Sequence, residues 1–73
     1  MLNISNKDIA FLKKHLPEID VDTLIMGNNR RDILNPLDDL IFKDGFAPPD
    51  YYYYNDLGEE AQKVYDRIYA DNK

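Results

Sequence analysis

The residues that could carry chemistry in this chain are few, and histidine and cysteine come first. The sequence contains one histidine, His15, and no cysteine. A single histidine without cysteine cannot supply the common catalytic dyads or a two-histidine metal motif, and no P-loop, glycine-rich dinucleotide turn or nucleophile elbow is present. His15 instead suits the C-terminal end of a helix. We therefore expect no enzyme activity, no catalytic residue and no cofactor.

The acidic residues give no better indication of a catalytic or metal site. Asp20 and Asp22 begin like a calcium-binding loop, but the third acid, the central glycine and the terminal glutamate are missing at the required spacing. Asp38, Asp39 and Asp44 are interpreted as surface charges and helix caps. We expect no metal site.

Four consecutive tyrosines are the most unusual feature of the sequence. Two prolines before them favour an extended path, in which neighbouring side chains point to opposite sides. We expect one alternate pair to face the core and the other to face outward, where tyrosines commonly anchor a protein partner or a second copy. The simpler alternative is that the rings only close the core, with their hydroxyls at its rim. The candidate partner-binding residues are Tyr51, Tyr52, Tyr53 and Tyr54.

Length and charge limit the remaining possibilities. A chain of 73 residues forms one domain, residues 1–73, and buries only about 60% of its unfolded surface, so a partner or a homo-oligomer would add stability. The net charge of −5 argues against broad binding to nucleic acids or anionic membranes. No apolar run approaches the roughly 20 residues that span a bilayer, and no signal peptide is recognisable. We expect a soluble, cytoplasmic protein.

Helix signals predict a mainly α fold of three to four short helices, with an extended Pro/Tyr-rich segment before the last one. Ser5 can cap the first helix, which should end at about Leu16 because a proline follows. Asp20 or Asp22 can cap a short second helix, and Gly27 can provide the left-handed residue that ends it.

The second half of the chain predicts two further helical regions. Pro36 lacks an amide proton and crowds the preceding turn, which favours two pieces, about 30–34 and 36–44, closed by Gly45. Asp56 is the expected cap of the last and most clearly amphipathic helix. The apolar positions of all these helices predict a core of Ile9, Leu12, Leu16, Leu24, Ile33, Leu37, Leu40, Ile41, Leu57, Val64 and Ile68.

The stretch "DTLIMGNNRRDILNPLDDLI" resembles a helix-turn-helix, with a short helix, a glycine turn and a second helix that begins near Arg30 and Arg31. The following "GFAPPDYYYYNDLGEEAQKVYDRI" is similar in layout to the wing and closing helix of winged-helix proteins. This resemblance implies a nucleic-acid-binding or regulatory module in which the two arginines contact phosphates or bases. The acidic balance favours the other interpretation, a small acidic accessory protein that binds a protein partner or self-associates through its tyrosine-rich segment.

Overall fold

Four helices account for most of the computed structural model, which describes residues 1–72. They are α1 (Asn6–His15), α2 (Val21–Met26), α3 (Arg31–Asp44) and α4 (Asp56–Asp71). This confirms the predicted mainly α fold, and residues 1–72 contain no β-strand, only one isolated bridge between Phe46 and Tyr54. Among the described residues, no helix has the length and apolar character needed to cross a membrane.

The first two helices begin at the predicted caps. The Ser5 hydroxyl accepts a hydrogen bond from the Asp8 amide at 3.2 Å, and the Asp20 carboxylate accepts one from the Thr23 amide at 3.3 Å. The predicted end of α2 was wrong in one respect. Gly27 is right-handed, with φ −71°, and Asn28 takes the left-handed conformation, with φ 59°. Asparagine tolerates that conformation better than most residues, so the glycine was not required there.

Helix α3 is continuous through Pro36, so the predicted division into 30–34 and 36–44 was wrong. The helix buries four aliphatic side chains, Ile33, Leu34, Leu37 and Ile41, on both sides of the proline. Pro36 removes one backbone hydrogen bond from the helix. Burial of the four aliphatic side chains stabilises the helix by more than the loss of that bond costs. The helix ends at Gly45 as predicted.

Helix α4 is capped by Asn55 and not by Asp56, one residue earlier than predicted. The Asn55 side-chain oxygen accepts from the Gly58 amide at 2.7 Å, and its amide group donates to the Asp44 carbonyl at 2.7 Å. An amide side chain can accept and donate at once, whereas an ionised aspartate has no proton to donate. Asp56 lies in the first turn, where the helix dipole favours its charge.

Helices α3 and α4 form an antiparallel pair that is tightest where α3 ends and α4 begins. Both glycines there, Gly45 and Gly58, are buried. A Cβ atom on Gly58 would overlap the Gly45 carbonyl group. The two backbones can approach this closely because neither residue has a side chain.

The core lies between α3, α4 and the two shorter helices. Seven of the predicted core residues are buried: Leu12, Leu16, Ile33, Leu37, Ile41, Val64 and Ile68. The other four are half-buried: Ile9, Leu24, Leu40 and Leu57. The prediction missed five buried residues: Leu2, Val21, Ile25, Leu34 and Ala61. Leu2 lies outside any helix and reaches the core because its amide donates to the Ile25 carbonyl at 2.9 Å.

An ion pair joins α1 to α4. The Arg67 guanidinium donates to both Asp8 carboxylate oxygens, at 2.7 and 2.9 Å, and the Asp8 side chain is only 3% exposed. The hydrogen bonds from Arg67 hold the pKa of Asp8 below its ordinary value, although burial acts in the opposite direction.

Candidate protein-binding surface

The four tyrosines belong to a closed loop, residues 46–54, which we call the tyrosine loop. It connects α3 to α4 and carries the Phe46–Tyr54 bridge at its base. Inside the bridge, the Ala47 amide donates to the Tyr53 carbonyl at 2.8 Å, and the Tyr51 amide donates to the Ala47 carbonyl at 3.0 Å. These bonds hold the backbone in one shape without a regular strand.

All four tyrosine side chains are exposed, so the prediction that one alternate pair faces the core was wrong. Tyr51, Tyr52 and Tyr53 are 61%, 81% and 79% exposed, and Tyr54 is 40% exposed. Tyr54 is the one that packs at the base of the loop, with its ring centroid 5.1 Å from that of Phe46 and its hydroxyl donating to the Gln62 side chain at 3.0 Å. The simpler alternative, in which the rings only close the core, does not fit these exposures either.

Backbone conformation at Tyr51 explains why the alternation fails. Tyr51 has φ 59°, a left-handed conformation that is rare for a residue with a bulky side chain. This turn interrupts the extended path on which the alternation of Tyr51 to Tyr54 depended. Residues held in such conformations cost about 1–3 kcal/mol and are common at functional sites.

Exposed apolar side chains are concentrated at this end of the molecule. Among residues 1–72, eight large hydrophobic side chains are exposed, and five of them lie between residues 42 and 54. The fifth, besides the four tyrosines, is Phe42, which is 81% exposed on the last turn of α3. Phe42 was not among the predicted binding residues, although its position off the buried face of α3 indicates that it is exposed.

The tyrosine loop and the residues next to it in the chain are rich in carboxylates. Residues 44–62 contain five acidic residues and no lysine, arginine or histidine. Asp50 lies within the tyrosine loop, and Asp44 and Asp56 flank it; all three are exposed. The hydrogen bond from Asn55 to the Asp44 carbonyl brings the two ends of the loop together. The surface therefore combines phenol rings with uncompensated negative charge.

Arg30 and Arg31, the candidate nucleic-acid contacts, lie in different environments. The Arg30 guanidinium stacks over the Tyr69 ring, 4.6 Å from its centroid, and donates to the Asn72 carbonyl at 2.9 Å. Arg30 therefore satisfies backbone carbonyl groups at the end of α4. Arg31 is exposed.

The residues first considered for chemistry have structural contacts. His15 packs against Phe11, with ring centroids 4.5 Å apart, at the C-terminal end of α1. Asp20 caps α2. The Thr23 hydroxyl and then the Thr23 amide, which both donate hydrogen bonds to the Asp20 carboxylate, lower the pKa of Asp20. Within residues 1–72, no group of three or more His, Cys, Asp or Glu side chains is arranged to hold a metal ion.

A shallow cleft of about 370 Å³ lies between the α1–α2 connection and α3. Its apolar lining comes from Leu16, Ile19, Pro36 and Leu40, and charged side chains surround it. Leu16 is buried, and the other three are half-buried. None of these four apolar side chains is exposed, in contrast to the four tyrosines of the tyrosine loop.

The chain matches no protein-family model, and neither the curated proteins nor the solved structures include a match to it.

Proposed function

We propose that this chain is a small acidic accessory protein that binds a protein partner through its tyrosine loop. The observation that carries the proposal is the concentration of five exposed large hydrophobic side chains between residues 42 and 54. Tyrosine provides a large contact area at low cost in conformational entropy and is enriched in binding hot spots. On this proposal the protein acts by occupying a surface of its partner and not by catalysis.

The charge around the loop favours a different protein over a second copy as the partner. In a twofold dimer each copy contributes the same patch, so the patch with Asp44, Asp50 and Asp56 on one copy would face an equally negative patch on the other. Like charges across an interface are unfavourable, and residues 44–62 have no basic side chain to offset them. A partner with the opposite charge avoids this cost.

Capture of binding proteins from the lysate of the source organism tests the proposal. The loop variant carries Tyr52→Ser and Tyr53→Ser, which remove the two most exposed rings of the tyrosine loop. The matched control is Met26→Ser, since Met26 is 72% exposed and lies on α2, outside the loop. We expect the wild type and the control to retain a protein that the loop variant loses, with equal melting temperatures for all three.

A set of captured proteins that is identical for the wild type and the loop variant would contradict the proposal. Sedimentation velocity separates the two kinds of partner. We expect a monomer at all concentrations tested, and a dimer that dissociates in the loop variant would identify self-association as the function of the loop.

A further inference from the structure

The tyrosine loop presents rings and carboxylates together, and this combination restricts what it can bind. Lys43 is the only basic residue between Arg31 and Lys63, whereas eight acidic residues lie in the same interval. Two ion pairs are found among residues 1–72, Lys13 with Asp22 and Arg67 with Asp8. All four of these residues lie outside the interval. The loop carboxylates therefore have no ionic partner in the part of the chain that the structure describes.

We infer that the partner surface presents arginine side chains to the tyrosine loop, an inference that rests on the proposed function. A basic surface complements the uncompensated carboxylates Asp44, Asp50 and Asp56 and speeds association with them. Charge alone would accept lysine equally well. The aromatic rings provide the discrimination, because a planar guanidinium stacks on a phenol ring while its edge donates to an oxygen.

The chain itself contains one example of this geometry. The Arg30 guanidinium lies 4.6 Å from the centroid of the Tyr69 ring and at the same time donates to the Asn72 carbonyl at 2.9 Å. The tyrosine loop offers exposed rings beside exposed carboxylates, as at Tyr51 and the preceding Asp50. These are the same two kinds of contact, with a charged acceptor in place of a carbonyl group, and charge-assisted hydrogen bonds are the stronger kind.

Other classes of macromolecule fit this surface less well. A nucleic acid or an anionic membrane would bring phosphate groups against the same carboxylates, and phosphate contacts need basic side chains. An uncharged apolar partner would cover the rings but would have to remove Asp50 from water without an ion pair. A protein surface with arginine side chains satisfies both the rings and the carboxylates.

The test uses two synthetic peptides as probes, one of repeated Gly-Arg-Gly units and one with lysine at every arginine position. Binding to the full chain is measured at low ionic strength by calorimetry, with tyrosine NMR signals as a second readout. We expect the arginine peptide to bind the wild type about 2- to 5-fold more tightly than the lysine peptide. One exposed cation–π contact is worth at most about 5-fold, and lysine makes a weaker one than arginine because its ammonium group cannot stack. The preference should disappear in the Tyr52→Ser, Tyr53→Ser variant and persist in the Met26→Ser control.

A second variant tests the carboxylate. Asp50→Asn should weaken both peptides by a similar factor and leave the preference for arginine unchanged, because the rings are intact. Equal binding of the two peptides to the wild type would overturn the inference, as would an equal preference in the tyrosine variant. Tyrosine-dependent binding of duplex DNA would overturn it too.

The two experiments distinguish a failure of the proposed function from a failure of the inference about arginine. Failure of the lysate capture would overturn the proposed function, whatever the peptides show. Equal affinity for the two peptides, together with a partner whose capture depends on the tyrosines, would leave the proposed function standing and remove the inference about arginine. Melting curves of every variant identify any loss of binding that comes from unfolding.

Discussion

Replacing Arg67 by alanine should cost about 2 kcal/mol of folding free energy, a large fraction of the stability of so small a domain. The pair it forms with Asp8 joins the first and last helices through two charge-assisted hydrogen bonds of 2.7 and 2.9 Å. With Arg67 gone, the Asp8 carboxylate, whose side chain is 3% exposed, would remain buried without its ionic partner. A buried carboxylate that has lost its ionic partner strongly destabilises the folded state.

The magnitude follows from the unequal burial of the two side chains. Removing one member of a fully buried pair costs about 3–5 kcal/mol, whereas a fully exposed pair contributes about 0.2–1 kcal/mol. The Arg67 side chain is 44% exposed, so solvent screens part of the interaction and the expected cost lies between these limits. For a domain of this size, about 2 kcal/mol lowers the melting temperature by about 8–16 °C.

The cost should depend on pH. Hydrogen bonding to Arg67 lowers the pKa of Asp8 below the ordinary value of 3.8, so the pair stabilises the fold fully above that value. This stabilisation is lost as the pH falls through the lower pKa of Asp8 in the folded protein. In Arg67→Ala, burial without a partner favours the protonated carboxyl, so acid relieves part of the damage. The difference between wild type and variant should therefore be largest near neutral pH and shrink in acid.

Urea unfolding of the wild type, Arg67→Ala and the control Arg31→Ala, repeated from neutral to acidic pH, measures this effect. Arg31 is exposed, and its replacement should change the free energy of unfolding by less than about 0.5 kcal/mol. Adding Asp8→Asn to Arg67→Ala should recover part of the loss, since it removes the buried charge. The reasoning is refuted if Arg67→Ala and Arg31→Ala behave alike, or if the cost is the same at acidic and neutral pH.

Three further predictions test the local geometry, each by urea unfolding. Gly58→Ala should destabilise the fold by about 3 kcal/mol because its Cβ would overlap the end of α3. Gly27→Ala, where a Cβ makes only ordinary contacts, should stabilise the fold by about 0.5 kcal/mol. Equal effects of the two substitutions would contradict this packing. Pro36→Ala should stabilise by about 1 kcal/mol by restoring a helical amide, and a loss of stability would show that the ring packs favourably. Tyr51→Gly should be about 1 kcal/mol more stable than Tyr52→Gly because, of these two residues, Tyr51 alone has a left-handed backbone, which glycine adopts without strain. The reverse order of stability would show that the backbone at Tyr51 is not strained.

Helix starts were predictable from the sequence where a cap acts within three residues. Ser5 was identified correctly, and Asp20 was one of two candidates for its helix, the other being Asp22. Ser5 and Asp20 each accept a hydrogen bond from an amide three positions later in the chain. The choice between Asn55 and Asp56 was not predictable, since both are good capping residues. It is decided by the hydrogen bond from Asn55 to the Asp44 carbonyl, a contact between two helices that no local pattern contains.

Features that depend on packing were harder to predict. The proline penalty at Pro36 is a local quantity, and burial of the aliphatic face of α3 outweighs it. The partners Asp8 and Arg67 are separated by 59 positions, and neither residue alone indicates the other. The run of four tyrosines was correctly singled out as unusual, but the alternation expected for it assumed a strand, whereas Tyr51 adopts a turn held by Ala47.

Contacts at both ends of the α3–α4 pair explain how the chain can present exposed aromatic rings without depending on them for its fold. At one end, Arg30 stacks on Tyr69 and donates to the last carbonyl groups of α4. At the other end, Gly45 and Gly58 bring the backbones together directly beneath the tyrosine loop. Neither contact involves Tyr51, Tyr52 or Tyr53. Because the helices are joined independently of these rings, the Tyr52→Ser, Tyr53→Ser variant should lose binding and keep the melting temperature of the wild type, which is the separation that the proposed function requires.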